Sequence, residues 1–566
     1  MNKRLVECVP NFSEGRDMAV INQITDVIKA SEGVTLLDVD PGFATNRTVV
    51  TFIGSPEAVV DAAYAAIKKA QELIDMRHHH GEHPRMGATD VCPLVPVAGI
   101  TMEETVQYAR QLAERVGNEL AIPVYCYEEA AFTPKRKNLA VVRAGEYEAL
   151  PQKLADPEMK PDFGPAEYTE SVAKSGGTVI GARDFLLAVN FNLNTTSTRR
   201  ANAIAFDVRE KGRVKREGNP ITGKKVLDEN GHEVMIPGTL KGTKAIGWFI
   251  KEYGIAQVSM NITDMNTTPL HVAFEEVCRK AEARGVRVTG TEIVGLVPKS
   301  VLINAGKYFL AKQNRSAGIA ESEIVKIAVR SMGLDNLGPF NAKEKVIEYL
   351  IEDHTANRLV DMTCFDFAEE TASESPAPGG GSISAYMGAL GAALGTMVAN
   401  LSSHKPGWDE RWEFFANYAE EGHQLMEELL HLVDEDTAAF NRIMDVFGMP
   451  KSSPEEKAKR AEALEKATLY ATEVPLRTMK AAVRAFPLLK AMASEGNPNS
   501  VSDAGVGALA ARSAVLGAHL NVKINAAGLK DRKAAQRILD EAEGIAKEAV
   551  ALEQEILEIT EKVINK

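Results

Sequence analysis

The segment RHHHGEHPRMGATD, residues 77 to 90, holds four of the chain's eleven histidines: His78, His79, His80 and His83. Imidazole titrates near neutral pH, so it can ligate a metal or carry a proton, and the spacing has to separate the two uses. Three consecutive histidines cannot share one face of a helix or strand, and no HExxH spacing occurs, so no metal site is expected. His78 to His80 read as a solvated helix end, where imidazole interacts favourably with the C-terminal dipole. His83 differs. It lies in Gly-Glu-His-Pro-Arg, where Pro84 restricts its backbone and Glu82, Arg85 and Asp90 could orient its ring or tune its pKa. The motif suits a proton-transfer group and equally an ordinary histidine in a polar loop.

Acidic candidates stand at two other places. In DVDPGFATNR (38 to 47), Asp38 and Asp40 share one side of a strand's C-terminal end, where they either cap the Pro-Gly turn or face a ligand. In HLVDEDTAAF (431 to 440), Asp434 and Asp436 are two apart on a helix, so at most one points inward. A buried acid is costly unless paired or functional, which makes the inward one a candidate general acid. The run SESPAPGGGS (373 to 382) opens a helix with backbone N–H groups that suit an anion. It has neither the strand-GxGxxG spacing of a dinucleotide site nor the lysine of a P-loop.

The elements that must hold these residues change character along the chain. Over the first 300 residues or so strands and helices alternate: LVECVPNF (5 to 12), a helix from Arg16 to Ala30, GVTLLDVD (33 to 40), RTVVTFIG (47 to 54), then a helix capped by Ser55 with Pro56 at its first position. An internal repeat is visible. Val9-Pro-Asn-Phe12 resembles Val189-Asn-Phe191, and GATDVCPLVP (87 to 96) resembles GTEIVGLVP (290 to 298), so two similar α/β subdomains are expected, divided near residues 175 to 185. The second copy carries an extra piece, residues 211 to 238, whose Asn-Gly signals a hairpin with His232 solvated beside the turn. After about residue 335 strand patterns vanish. Helices are expected over 381 to 403, 409 to 447, 454 to 482, 484 to 494, 502 to 525 and 530 to 565, forming a bundle. In the last of these, Ile538, Ala542, Ile545, Ala549, Leu552, Ile556, Ile559 and Val563 alternate at four and three, the seam of a helix packed along its whole length. Gly388, Gly391 and Gly395 cost helix stability, and close approach of a neighbouring helix is the expected reason.

The fold class is therefore α/β plus all-α, with residues 1–181 and 182–335 as two α/β sandwich subdomains, 336–360 as a linker and 361–566 as a helical bundle. With 566 residues, 45% hydrophobic and 25% charged, the chain has the composition of ordinary globular proteins. Its formal charge of -13 and lack of a basic block argue against nucleic acid as a partner. The N-terminus lacks a signal peptide's apolar core, and apolar stretches are broken by charge or glycine, so a cytoplasmic protein without membrane partners is expected. Five cysteines without a CxxC pair suit reduced, mostly buried thiols.

Taken together, LVECVPNFSEG, LLDVD, TNRTV, GEHPRMGA, DVCP, VRAGEYEAL (142 to 150), PDFGP (161 to 165), GAR, IGW, GLVP, APGGGS (377 to 382), GAALG and LVDEDTAAF resemble the formiminotransferase-cyclodeaminase family over essentially the whole chain. The resemblance implies transfer of the formimino group from N-formimino-L-glutamate to N5 of tetrahydrofolate by the α/β half. The helical half would then close the ring to 5,10-methenyltetrahydrofolate with release of ammonia. It implies catalytic roles for His83 and for Asp436, the second acid of the VDxD pair. Asp40, Glu82 and Arg85 would orient His83 or the pterin. Folate binding would begin at Gly164-Pro165 and continue through Ala166, Glu167 and Tyr168 to Gly176 and Gly177. Two departures are noted: the segment between Gly-Pro and Gly-Ala-Arg is a few residues longer than in some relatives, which leaves the contacts after Pro165 open, and residues 211 to 238 are longer than in animal members. Tetrahydrofolate, in a form that can carry a polyglutamate tail, is the expected co-substrate, and the glycine-rich helices and full-length seam favour a homo-oligomer. Competing readings are a transferase whose bundle serves only oligomerisation, a methenyltetrahydrofolate cyclohydrolase in the bundle, a non-catalytic folate binder and a zinc enzyme built on the histidine run. In the second copy of the repeat the matching stretch follows EARGVRVT (282 to 289), which contains no histidine, so one transferase site per pair of subdomains is expected, centred on His83.

Overall fold

The computed structural model describes residues 4–43, 45–81, 84–218, 223–351 and 358–566. The chain forms two compact units, Met1–Asn304 with Met332–Glu352, and Ala305–Ser331 with Asp353–Lys566. Helices of ten residues or more are numbered below.

In the first unit β1 (Leu5–Cys8), β2 (Asn11–Phe12), β3 (Val34–Gly42), β4 (Arg47–Gly54), β5 (Thr89–Ala98), β6 (Val124–Glu128) and β7 (Thr178–Ala182) make one sheet. Apolar residues at alternate positions place Val6, Cys8, Phe52, Cys92 and Leu94 on one face, against α1 (Met18–Lys29), α2 (Pro56–Leu73) and α3 (Met102–Leu120). Local sequence starts each helix. Asp17 and Ser55 accept a backbone N–H at the first turns of α1 and α2, and Thr101 with Glu104 forms a full capping box on α3.

The second sheet holds β8 (Leu187–Leu193), β11 (Thr243–Ile250), β12 (Ile255–Ile262) and β13 (Val288–Val294), with β9 (Arg213–Val214) and β10 (Met235–Ile236) forming a separate pair in the insertion. Its helix-covered face carries α4 (Thr198–Val208) and α5 (Leu270–Glu282), with Phe191 6.4 Å from Phe274 between ring centres. The repeat read from sequence appears as topology. The antiparallel order β3-β4-β1-β5 in the first sheet recurs as β11-β12-β8-β13 in the second, and β6 and β7 are parallel additions to the first copy. The inserted Asn-Gly turn is a hairpin as expected: Asp228 N–H donates to the His232 carbonyl at 2.8 Å, and His232 is exposed.

After α6 (Lys299–Lys312) and α7 (Glu321–Met332), the second unit is helical: α8 (Gly380–Ser403), α9 (Trp412–Phe447), α10 (Pro454–Val483), α11 (Ala485–Glu495), α12 (Val501–Ala527) and α13 (Arg532–Ile564). Pro454 and Ser453 begin α10 through a capping box, and Pro475 is carried within it. The expected seam of α13 packs: Ile538, Ala542, Ala549 and Ile556 are buried, and Ile545, Leu552, Ile559 and Val563 lean on the same core. Helix α8 is long and apolar enough to cross a membrane, and most of that window is buried inside the bundle. Its glycines admit neighbours. A Cβ on Gly391 would stand 2.9 Å from the Gly507 carbonyl oxygen of α12, and one on Gly395 would stand 2.9 Å from Leu488.

Candidate active sites

Glu82 and His83 lie outside the described residues. Their flanks are tightly held. Asn46, at φ 47°, accepts from Gly15 N–H at 3.0 Å and donates to the His80 carbonyl at 3.0 Å, while its own carbonyl meets His79 Nε2 at 2.8 Å. Asparagine tolerates this left-handed conformation better than most residues. It joins three motifs that are far apart in sequence: Ser-Glu-Gly (13 to 15), Thr-Asn-Arg (45 to 47) and the histidine segment. Gly81 is packed too closely for a side chain, since a Cβ would lie 2.1 Å from the Thr45 carbonyl oxygen.

The solvated reading of the histidine run fails at one position. His78 and His80 are exposed, but His79 is only 7% exposed, and burial pushes its pKa below the usual value. The bond to the Asn46 carbonyl requires Nε2–H, so His79 acts as a neutral fastener of the loop. Arg85 is likewise buried. Its guanidinium donates to Glu148 at 2.8 Å through two nitrogens, to Glu146 at 3.2 Å and to the His79 carbonyl at 3.1 Å, so its donors are spent on holding the loop. Asp90, read from sequence as a partner for His83, is fully buried and committed elsewhere. It pairs with Arg47, sits 2.7 Å from Arg143 and accepts from Met86 N–H at 2.9 Å.

Asp40 stands on β3 opposite Val49, and Asp38 stands opposite Thr51, so both face the same side after a bulge at Leu36–Asp38. Asp40 is exposed as a residue, yet partial burial of its carboxyl raises its pKa; Asp38 and Glu292 add repulsion and Lys345 opposes them. Glu292 comes from β13 of the second copy. There it accepts from Asn190 at 2.9 Å and from Gln257 at 3.2 Å, on the face opposite α4 and α5. Acids from both copies therefore look into one region, and neither Glu292 nor Lys345 was singled out from sequence.

The seven residues of the expected folate segment separate. Gly164, at φ 83°, packs on the end of α3, where a Cβ would stand 2.1 Å from the Ile122 carbonyl oxygen. Pro165 and Ala166 are half-buried, Glu167 is exposed, and exposed Tyr168 meets the Tyr147 hydroxyl at 3.2 Å. Gly176 and Gly177 are buried against the histidine segment, with Gly177 N–H donating to the Met86 carbonyl at 3.0 Å and a Gly176 Cβ 2.5 Å from Gly87 Cα. Backbone atoms crowd Gly164 and Gly176, whereas a Cβ on Gly177 would first meet the Met86 methyl group, at 3.0 Å.

In the second unit both acids of α9 have defined partners. Asp434 accepts from Leu359 N–H at 2.7 Å. Asp436 reaches the first turn of α8, where Ser382 donates to Oδ2 from its N–H at 3.0 Å and its hydroxyl at 3.3 Å. The anion that suits the Gly-Gly-Gly-Ser helix start is thus a carboxylate of the protein itself. Burial outweighs these donors and raises the Asp436 pKa, so the acid form is held to higher pH than in a free aspartate. Gly381 leaves the necessary room: a Cβ there would lie 2.1 Å from Oδ1. Ser382 escaped the sequence reading because nothing local links it to a residue 54 positions later.

Comparison with known proteins matches three family models in chain order: "Formiminotransferase domain, N-terminal subdomain" over residues 5–183, "Formiminotransferase domain" over 188–352, and "Formiminotransferase-cyclodeaminase" over 363–544. A formimidoyltransferase-cyclodeaminase of Gallus gallus is 44% identical over 531 residues, 94% of each chain. A glutamate formimidoyltransferase of Thermoplasma acidophilum is 42% identical over 327 residues, 57% of this chain and 98% of its own. A methenyltetrahydrofolate cyclohydrolase of Methylorubrum extorquens is 39% identical over 199 residues, 35% of this chain and 96% of its own.

Proposed function

Because the chain belongs to the formiminotransferase-cyclodeaminase family, we propose that it carries out two successive reactions on a folate, the first within residues 1–335 and the second within 361–566, with 336–360 joining them. The reading rests chiefly on the full-length match, 94% of both chains, to a relative named for both activities. In the first reaction N5 of tetrahydrofolate attacks the formimino carbon of N-formimino-L-glutamate, and the carbon–nitrogen bond to glutamate breaks. N5 loses a proton and the glutamate nitrogen gains one. One group titrating near neutrality can serve both steps, the role assigned to His83. His79, Arg85 and Asn46 hold the loop that presents it, and Asp40 and Glu292 suit the cationic amidine of the substrate.

In the second reaction N10 attacks the same carbon and loses its proton, and the carbon–nitrogen bond to the departing nitrogen breaks. That nitrogen must be protonated to leave as ammonia, with 5,10-methenyltetrahydrofolate left as the cation. Asp436, raised in pKa and fixed by Ser382, is the acid. Gly164, Pro165, Ala166, Glu167, Tyr168, Gly176 and Gly177 are kept as folate candidates, and Pro165 to Tyr168 are the four of them whose side chains are accessible or partly so. Reactions of this kind suit a cytoplasmic homo-oligomer and require no resident metal.

The match to a cyclohydrolase sustains one rival for the bundle. Supplying the purified chain with 5-formiminotetrahydrofolate should release ammonia and produce methenyl absorbance. Hydrolysis of added methenyltetrahydrofolate without ammonia from the formimino compound would instead favour the cyclohydrolase. A steric test bears on Asp436 itself. Gly381→Ala should cut ammonia release roughly tenfold or more while formimino transfer is unchanged, because the new methyl group and the Asp436 carboxylate compete for one space. Unchanged ammonia release would argue that the carboxylate is not held where the reaction needs it.

A further inference from the structure

Described residues of the 211–238 insertion and of α4 line a pocket that contains none of the residues assigned to either reaction. In a chain of formal charge -13, Arg199, Arg209, Lys211, Arg213 and Arg216 line one cavity of about 360 Å³, and Glu233 is the only acid among its described lining residues. Glu233 is already paired with Lys225. Helix α4 supplies one wall and the β9–β10 pair the other, on the helix-covered side of the second sheet, opposite the face that carries Asn190 and Glu292.

The cations are poorly compensated. Arg209 donates only to carbonyls, Gly212 at 3.0 Å and Ala245 at 3.3 Å, with its guanidinium 4.0 Å from the centre of the Phe206 ring. Arg216 donates to the Gly223 carbonyl at 2.8 Å. Arg213 pairs with Asp207, but the same aspartate also holds Arg284, so one carboxylate serves two arginines. Arg199 and Lys211 are exposed, and their side chains make no hydrogen bond or ion pair with a described residue. Burial lowers the pKa of Arg209, which has no carboxylate among its partners, and burial together with the charge of Arg284 lowers that of Arg213. Guanidinium forks match carboxylate and phosphate oxygens, and Phe206, Val214 and Met235 add an apolar floor beside them.

We propose that this pocket binds a small polyanion, one bearing two or more carboxylate or phosphate groups next to an apolar portion, at a site distinct from both active sites. Carboxylates of a γ-glutamyl chain and phosphates of a free metabolite share this chemistry. The experiment separates them: isothermal titration of the full chain with γ-linked triglutamate and, in parallel, with tripolyphosphate. At least one probe should bind, and affinity should fall roughly tenfold between about 50 and about 300 mM salt. The double variant Arg199→Glu, Lys211→Glu should weaken binding by about tenfold or more, while both turnovers on monoglutamyl substrates stay unchanged; these side chains have no partner among the described residues, and Arg199→Gln alone serves if the double variant folds poorly. Triglutamate alone binding identifies a glutamyl ligand, tripolyphosphate alone a phosphorylated one, and both together a site selective for charge. Binding of neither probe, or binding indifferent to the substitutions, overturns the proposal.

Discussion

His83→Ala should lower formimino transfer by roughly 10² to 10⁴-fold, the span that a positioned general acid–base group typically contributes, while ammonia release from supplied 5-formiminotetrahydrofolate stays at the wild-type level. The expectation comes from proton balance: N5 must lose a proton as glutamate's nitrogen gains one, and imidazole can do both near neutral pH. The flanking residues have fastenings of their own. The loop is fastened by His79 on the Asn46 carbonyl, by Asn46 on the His80 carbonyl and by the bidentate Arg85–Glu148 pair, so removing the His83 side chain should leave the thermal midpoint within a degree or two. The neighbouring histidine makes the control. His79→Ala removes a buried fastener and should cost stability, about 1 to 3 kcal/mol from the orphaned Asn46 carbonyl, with activity falling as a consequence of unfolding. Full transfer activity in a folded His83→Ala protein would reject the assignment.

Asp436→Asn should have the complementary effect, a loss of ammonia release of roughly 10² to 10⁴-fold with transfer intact. An asparagine Oδ1 can still accept from Ser382 N–H, so the first turn of α8 keeps its partner. Burial disfavours the charged carboxylate, so the amide should fold at least as stably as the wild type, and lost activity would not trace to lost structure. The direction of the pKa shift also fixes a pH dependence. The acid form is complete below the raised pKa and is lost as pH rises through it, so a general-acid role requires deaminase turnover to decline on that alkaline side. A rate that climbs over the same range would point to the carboxylate as a base toward N10–H instead.

The bundle was legible because its signals are local. Helical seams, caps such as Ser453 before Pro454, and runs of alanine mark the helices to within a few residues, and Gly391 and Gly395 advertise close neighbours that packing then supplies. The repeat was legible as two short matches and emerged as a shared strand order. What escaped depends on contacts between distant positions. His79 looks like part of a solvated run until Asn46, 33 residues earlier, turns its carbonyl toward the ring. Asp90 looks like a loop acid until Arg47 and Arg143 close on it. Gly176 looks like a ligand-binding glycine, and the backbone of Met86 and Gly87 independently leaves no room for a side chain there. The helix-start glycines suggested an external anion, whereas the carboxylate that fills the role lies on α9.

The most direct measurement supplies the purified chain with N-formimino-L-glutamate and tetrahydrofolate and follows glutamate, ammonia and methenyl absorbance together. Two reactions on one chain predict that glutamate and ammonia accumulate in equal amounts and that the methenyl signal tracks them, with glutamate alone appearing in Asp436→Asn and neither in His83→Ala. Glutamate without ammonia from the wild-type chain, or no glutamate at all, would contradict the bifunctional reading.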